Sequence, residues 1–215
     1  MGQKEETEEK QERNNFAKGS IVVNILKLAV PMTLAQLINV LYNIVDRIYI
    51  GHIPKSGSLA LTGVGVCMPV IMIVSAFAAL VSSGGAPRAS IFMGKGDKES
   101  AEQTLGNCFT TQIVVSLLLT LILFTGNKSF LMAFGASENT IPYAVAYMNI
   151  YSLGTIFVQL TLGMNAFITA QGFAKTSMLS VLVGAASNII LDPIFIFALH
   201  MGVRGAALAT IVSQA

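Results

Sequence analysis

Two carboxylates in this chain sit where a carboxylate is costly. Asp46 and Asp192 fall inside long apolar segments, whereas the other acids lie in residues 1–24 or in polar connectors. A lone carboxylate at bilayer depth costs several kcal/mol or is neutralised, so such residues face protein or water and mark ion pathways. Each has polar company on its own helical face. Gln36, Asn39, Asn43 and Asp46 are spaced three, four and three apart, and Asn188 stands one turn before Asp192. Carboxylate, amide and hydroxyl oxygens suit a hard cation such as Na⁺, or a proton, and no His/Cys pattern suggests a transition metal. Asn and Gln stripes also glue membrane helices together, which is the plainer account of Gln36 and Asn39. Pro193 directly follows Asp192. A break there would expose carbonyls beside the carboxylate, as in the broken helices of transporters.

Those residues need elements to carry them. A helix crosses the hydrocarbon core with about 20 apolar residues. Segments near 25–50, 59–83, 105–125, 142–170 and 176–200 qualify, and a sixth begins near 203 and is still apolar at Ala215. The reading is an all-α polytopic membrane protein whose sixth helix is incomplete. Residues 1–24 read as a polar cytoplasmic tail and 25–215 as the transmembrane bundle. At a rise of 1.5 Å per residue, Asp46 lies about 28 Å from Lys27 and Asp192 about 26 Å from Lys175. Thr210 lies about 12 Å into the sixth segment. Three polar positions thus fall in one half of the bilayer. Thr140, just before Pro142, is the expected N-cap of the fourth segment. Ser75, Ala79 and Ser83, and Gly205 with Ala209, are expected small-residue packing stripes.

Composition agrees with a membrane setting. Of 215 residues 53% are hydrophobic and 11% charged, with mean hydropathy +0.69, whereas a soluble domain carries about 25% charged residues. A soluble enzyme, a nucleic-acid binder and a disordered chain are excluded, and the net charge of +2 identifies no partner. Basic residues orient the bundle. Lys4, Lys10, Arg13, Lys18, Arg88, Lys95, Lys98 and Lys175 fall on the N-terminal side, against Lys55, Lys128 and Arg204 on the other. A cytoplasmic N-terminus in a multi-pass cell-membrane protein follows. Cys67 and Cys108 sit toward opposite ends of neighbouring segments and are expected as two free, buried thiols. Arg47 points about 100° away from Asp46 around the helix, and is expected to extend toward the interface. His52 and His200 fall at segment ends, where interfacial polar residues are common.

"NVLYNIVDRIYIG" (Asn39–Gly51), "NAFITAQG" (Asn165–Gly172), "SNIILDPIFIF" (Ser187–Phe197) and "GVRGAALATIVSQ" (Gly202–Gln214), with the "GKGD" connector (Gly94–Asp97), resemble the first half of a MATE (multidrug and toxic compound extrusion) transporter. They look closest to the prokaryotic branch with an acid on helix one and NxxxDP on helix five. The resemblance implies the six-helix N-lobe of a twelve-helix, two-lobe transporter, which exports amphipathic or cationic drugs as Na⁺ or H⁺ enters. It implies a cation site of Asp46, Asn188, Asp192 and Thr210. Gln36, Asn39, Asn43 and Asn165 are candidate cavity-lining residues. No bound cofactor is implied beyond the coupling ion, and the partners are drug-like molecules, the lipid bilayer and a C-terminal six-helix lobe.

Two other functions use similar material. A flippase for lipid-linked oligosaccharides would favour a wide cationic cavity, but the embedded basic residues are Lys27 and Arg47, both near segment ends. An intramembrane aspartyl protease also uses two membrane acids, in "YD" and "GxGD" contexts, whereas this chain has "VD" and "LDP". The expectation is therefore a transporter and not an enzyme.

Overall fold

The computed structural model describes residues 20–215. Seven α-helices and one π-turn follow one another: α1 (Ile21–Gly51), α2 (Gly57–Gly94), α3 (Lys98–Ala133), α4 (Ile141–Leu153), α5 (Thr155–Ala170), α6 (Ala174–Pro193), the π-turn (Ile194–Ala198) and α7 (Val203–Gln214). α1, α2, α3 and Ala174–Ala198 are each long and apolar enough to cross a membrane, and the α4–α5 pair makes a fifth crossing with a bend of 60°. The connectors after α1, α3 and the π-turn lie at one end of the bundle. Those after α2 and α5 lie at the other.

The helices outrun the segments legible from hydropathy. α2 has 38 residues and α3 has 36, so each rises well over 50 Å, against a hydrocarbon core of about 30 Å. Apolar runs report the lipid-facing part, while backbone hydrogen bonding continues past it. Gly84–Gly94 and the charged stretch from Lys98 through Glu102 are therefore helical, and only Lys95–Asp97 remain as a connector. Of the tail expected over residues 1–24, residues 1–19 lie outside the described residues, and Ile21–Asn24 form the first turn of α1.

The fourth span is not the single helix expected over 142–170. It breaks at Gly154. A Cβ on Gly154 would run into the Ile211 side chain of α7, so glycine is needed for close approach. Its φ of −88° is ordinary. The Thr120 hydroxyl donates to the carbonyl of Ser152 beside the break at 3.0 Å. A side chain of α3 thereby takes up a backbone group at the bend. Thr140 does occupy the N-cap position of α4, but its hydroxyl turns back to Ser137, accepting from that backbone N–H at 2.9 Å.

The larger apolar core joins Ile50, Ala60, Val64 and Val74 to Met148, Tyr151, Ala206 and Ala207 near the Gly51–Gly57 end. A smaller cluster of Ala86, Ala89 and Phe167 closes the opposite end. Between them, the buried amides of Gln112 and Gln159 donate to the carbonyls of Ala78 and Val74 at 3.1 and 2.7 Å. These bonds tie α3 and α5 to α2. The packing face of α2 runs through Val74, Ala78, Ser82 and Ala86. The expected stripe of Ser75, Ala79 and Ser83 is one residue out of phase, with Ala79 and Ser83 exposed. Gly205 does serve close packing: a Cβ there would lie 2.6 Å from the backbone of Phe195 in the π-turn. Both cysteines are free; Cys67 is buried, but Cys108 is only half-buried. Cys108 packs its sulfur on Gly85, where a Cβ would strike it.

Gly154→Ala should lower thermal stability by about 1–3 kcal/mol through overpacking. Adding Ile211→Ala should recover part of that loss, and melting of the four variants in detergent reads the non-additivity. At the start of α3, the Ser100 side chain and backbone N–H hydrogen-bond Asp97, and with the nearby Lys95 charge they hold its carboxyl below the usual range. The cap's contribution is present above the unfolded value near about 3.9 and is lost as pH falls through the lowered folded value. Hydrogen exchange over Lys98–Thr104 should therefore speed up in Asp97→Ala at neutral pH. In the unsubstituted protein, it should speed up only in strong acid.

Candidate cation site

α1 approaches the bundle mainly through α6 and only lightly through α2 and α7. Of its 31 residues, only Pro31, Asp46 and Ile50 are buried. Asp46 is thus one of the few points at which α1 engages the interior, and it does so with a carboxylate 8% exposed. Opposite stands Asp192 of α6, 0% exposed, within hydrogen-bonding reach of Asp46. Ionised carboxylates are acceptors only. Accordingly Asp46 Oδ1 and both carboxyl oxygens of Asp192 are buried without a donor among the described residues. Acceptor facing acceptor calls for a proton or a cation between them.

Two neutral residues named from the sequence stand on the same helix as Asp192 and on α7. Asn188 lies one turn before Asp192, is 1% exposed, and leaves both atoms of its amide unpartnered. Thr210 of α7 donates its hydroxyl proton to the carbonyl of Ala206 at 3.0 Å. The Tyr147 hydroxyl of α4 lies beside it. Tyr147 is buried beside the charge of Asp46, and its ring stacks on Tyr151 with centroids 6.2 Å apart. Tyr42 of α1 also lies near Asp46. The oxygens gathered here are carboxylate, amide and hydroxyl, a hard donor set. Among the described residues no three His, Cys, Asp or Glu side chains form a metal-holding group.

The local backbone differs from expectation at Pro193. The α-helix does not break at Asp192; it runs through Pro193, and the irregularity follows as the π-turn. Leu199 N–H donates to the carbonyl of Ile194, five residues back, at 2.9 Å. Asp192 therefore stays in helical register with Asn188, and side-chain oxygens rather than freed carbonyls supply the site. The π-turn widens the helix where Gly205 of α7 packs on it, setting α7 and Thr210 against α6.

The rest of the polar stripe on α1 does not converge on the acids. Gln36 is exposed. Asn43 donates to the backbone carbonyl of Asn39 at 2.7 Å and to its side chain at 3.1 Å, a local bond along one helix. Arg47 donates to the sulfur of half-buried Met68 at 3.1 Å while its charge still reaches Asp46. Asn165 is half-buried on α5, with its Oδ1 unpartnered. Tyr147 and Tyr151 were not singled out by sequence reasoning. Their signal was the four-residue spacing of Tyr143, Tyr147 and Tyr151 along the fourth segment.

Comparison with known proteins finds similar chains. The model of the MatE family matches residues 31–194. A multidrug export protein MepA of Staphylococcus haemolyticus is 30% identical over 200 residues, covering 93% of this chain and 44% of that protein. The crystal structure of a MATE in the bent conformation superposes with a TM-score of 0.83 at 28% identity, over 91% of this chain and 43% of that one. An outward-facing multidrug resistance MATE family transporter of the MOP superfamily gives 0.82 at 28% identity, over 89% and 42%. The chain thus spans less than half the length of the relatives it matches.

If acceptor–acceptor opposition dominates here, Asp192→Asn should stabilise the protein by on the order of 1 kcal/mol, since an amide can donate to Asp46. The gain should be largest in alkaline, Na⁺-free buffer and should shrink when Na⁺ is added. Thermal melts with NaCl or choline chloride measure it.

Proposed function

The chain belongs to the MatE family, and from that premise we propose that it forms one lobe of a multidrug exporter whose Asp46–Asp192 pair holds the coupling cation, Na⁺ or H⁺. The observation that carries this reading is the pair of buried carboxylates facing each other without a donor. Asn188 and Thr210 serve as neutral ligands, with Tyr147 beside Thr210. The N-terminus is cytoplasmic on the charge bias of the connectors, and the lobe sits in the cell membrane.

The mechanism follows from how α1 is held. Loading the pair with a cation removes the repulsion and draws α1 onto α6. Unloading restores repulsion across the seam between α1 and α6. Cation occupancy therefore shifts the balance between a docked and a loosened α1, and differential affinity for those two packings is what coupling requires. Drug export draws on that shift. The exported molecules are amphipathic or cationic, and a second lobe supplies the remainder of their cavity.

Vesicles carrying the full-length protein, loaded with a fluorescent organic cation, test this. An imposed Na⁺ or proton gradient should drive export, and Asp46→Asn or Asp192→Asn should each cut the gradient-driven component by about ten-fold or more. Export that keeps its rate and ion dependence in both variants rejects the assignment. An oligosaccharide-lipid flippase would leave the organic cation where it was loaded.

A further inference from the structure

Beside the acid pair stands a charge that the cation-site reading leaves without a task. Arg47 directly follows Asp46 on α1 and is exposed. Its charge is permanent: a buried carboxylate can take up a proton, but arginine does not lose one. A basic side chain near a helix end ordinarily extends to the interface. Arg47 does the opposite. Gly51 ends α1, Gly57 begins α2, and the two stand level, since a Cβ on Gly57 would lie 2.0 Å from the Gly51 carbonyl oxygen. Arg47 is one turn in from that contact, about 6 Å, and Met68 is three turns in, about 16 Å. The guanidinium nevertheless donates to the Met68 sulfur at 3.1 Å. Its side chain therefore runs about 10 Å inward, the way helical side chains lean, toward the start of their own helix.

The sulfur does not account for that placement. A thioether is a weak acceptor and neutralises nothing. The charge acts on Asp46. The other titratable groups around Asp46 are Tyr42 on α1, Tyr147 on α4 and Asp192 on α6, none of them cationic. On α2, the Cys67 thiol is turned to the carbonyls of Gly63 and Ala144 at 3.4 and 3.5 Å. On α7, Arg204 is exposed in the first turn. Among the described residues, Arg47 is thus the cationic side chain that acts on the pair. A fixed positive charge beside two carboxylates favours the empty, ionised pair and opposes the pair that already holds a cation. An exporter needs both states, because an ion that is never released drives one event and no more.

We propose that Arg47 is the resident counter-charge of the Asp46–Asp192 site: it supports the pair when the transported cation has left, and it lowers the affinity of the site for that cation so that release follows binding. It is a positioning residue that acts through the acids by its charge. The proposal rests on the cation-site reading given above and adds the residue that sets the affinity.

Melting of the purified full-length protein across a NaCl series, balanced with choline chloride at one alkaline pH, tests it. Arg47→Gln should lower the half-saturating Na⁺ concentration about ten-fold. Arg47→Lys keeps the charge and should hold that concentration within about two-fold of the unsubstituted value. Met68→Leu removes the bond between α1 and α2 while leaving the charge, and should also hold it within about two-fold. In vesicles with an imposed Na⁺ gradient, Arg47→Gln should lower both the Na⁺ concentration for half-maximal export and the maximal rate, as expected of an ion held too long. A half-saturating concentration that does not move in Arg47→Gln overturns the proposal. So does an equal shift in Met68→Leu, which would make Arg47 a tether between helices, and so does the absence of any Na⁺ response in both the unsubstituted protein and Arg47→Gln. If the Na⁺ response is the same in Asp46→Asn and Asp192→Asn as in the unsubstituted protein, the cation-site reading has failed and this inference falls with it. A response lost in the acid variants but unmoved by Arg47→Gln leaves that reading standing and removes this inference alone.

Discussion

Two buried acceptors placed within reach of each other form an arrangement that cannot rest as bare carboxylates. Much of the surrounding architecture is what brings Asp46 and Asp192 to that point and keeps them there. α6 holds Asp192 and Asn188 on one face because its helical register continues through Pro193. The irregularity is deferred to the π-turn, whose backbone receives Gly205 of α7. That contact fixes α7, and α7 presents Thr210 to Tyr147. The bend at Gly154, in turn, exists where Ile211 of α7 packs onto bare backbone. One glycine in the fourth span and one in α7 thus determine where the neutral hydroxyls stand relative to the acids.

The acids were legible in the sequence because their cost in lipid is large and singular: a carboxylate in an apolar run has few explanations. Asn188 was legible through its single-turn spacing to Asp192, and Thr210 through depth and the family motif. Tyr147 was not, because tyrosine in a membrane helix has many ordinary uses and its partner Thr210 is distant in sequence. Asn43 spends its donor on Asn39 one turn back along its own helix. The Gly154 bend was hidden for a similar reason: glycine is common in membrane helices, and Ile211 is far away along the chain. Helix ends were underread wherever the helix leaves the hydrocarbon, as at Gly84–Gly94, because hydropathy senses lipid and not hydrogen bonding. The α2 stripe was misjudged by one residue; small side chains mark a face that can pack, and Val74 and Ala78 show that a different face does.

The bundle uses buried polar groups in two ways, and the difference lies in pairing. Gln112 and Gln159 each spend an amide donor on a neighbouring helix, as do the hydroxyls of Thr120 and Thr161. Bonds of that kind hold α3, α5 and α7 in place and change little with solvent. Asp46 and Asp192 have no donor to spend: Asp46 Oδ1 and both Asp192 oxygens are buried without a partner among the described residues. On the proposed reading, a small cation or a proton stabilises them, so their environment changes as that occupant comes and goes.

Magnitudes bear on whether such a change could move a helix. Two unit charges 4 Å apart at an effective dielectric near 20 repel by about 4 kcal/mol. Inverting a two-state population from 1:99 to 99:1 takes about 5.5 kcal/mol. On the proposed reading, one binding event therefore supplies most of a full switch, provided the moving element is not tied down elsewhere. Among the described residues α1 packs chiefly on α6, the helix that carries Asp192, and only lightly on α2 and α7. Repulsion between Asp46 and Asp192 therefore acts across the seam that holds α1. On the proposed reading, that seam is as much a part of the device as the acids themselves.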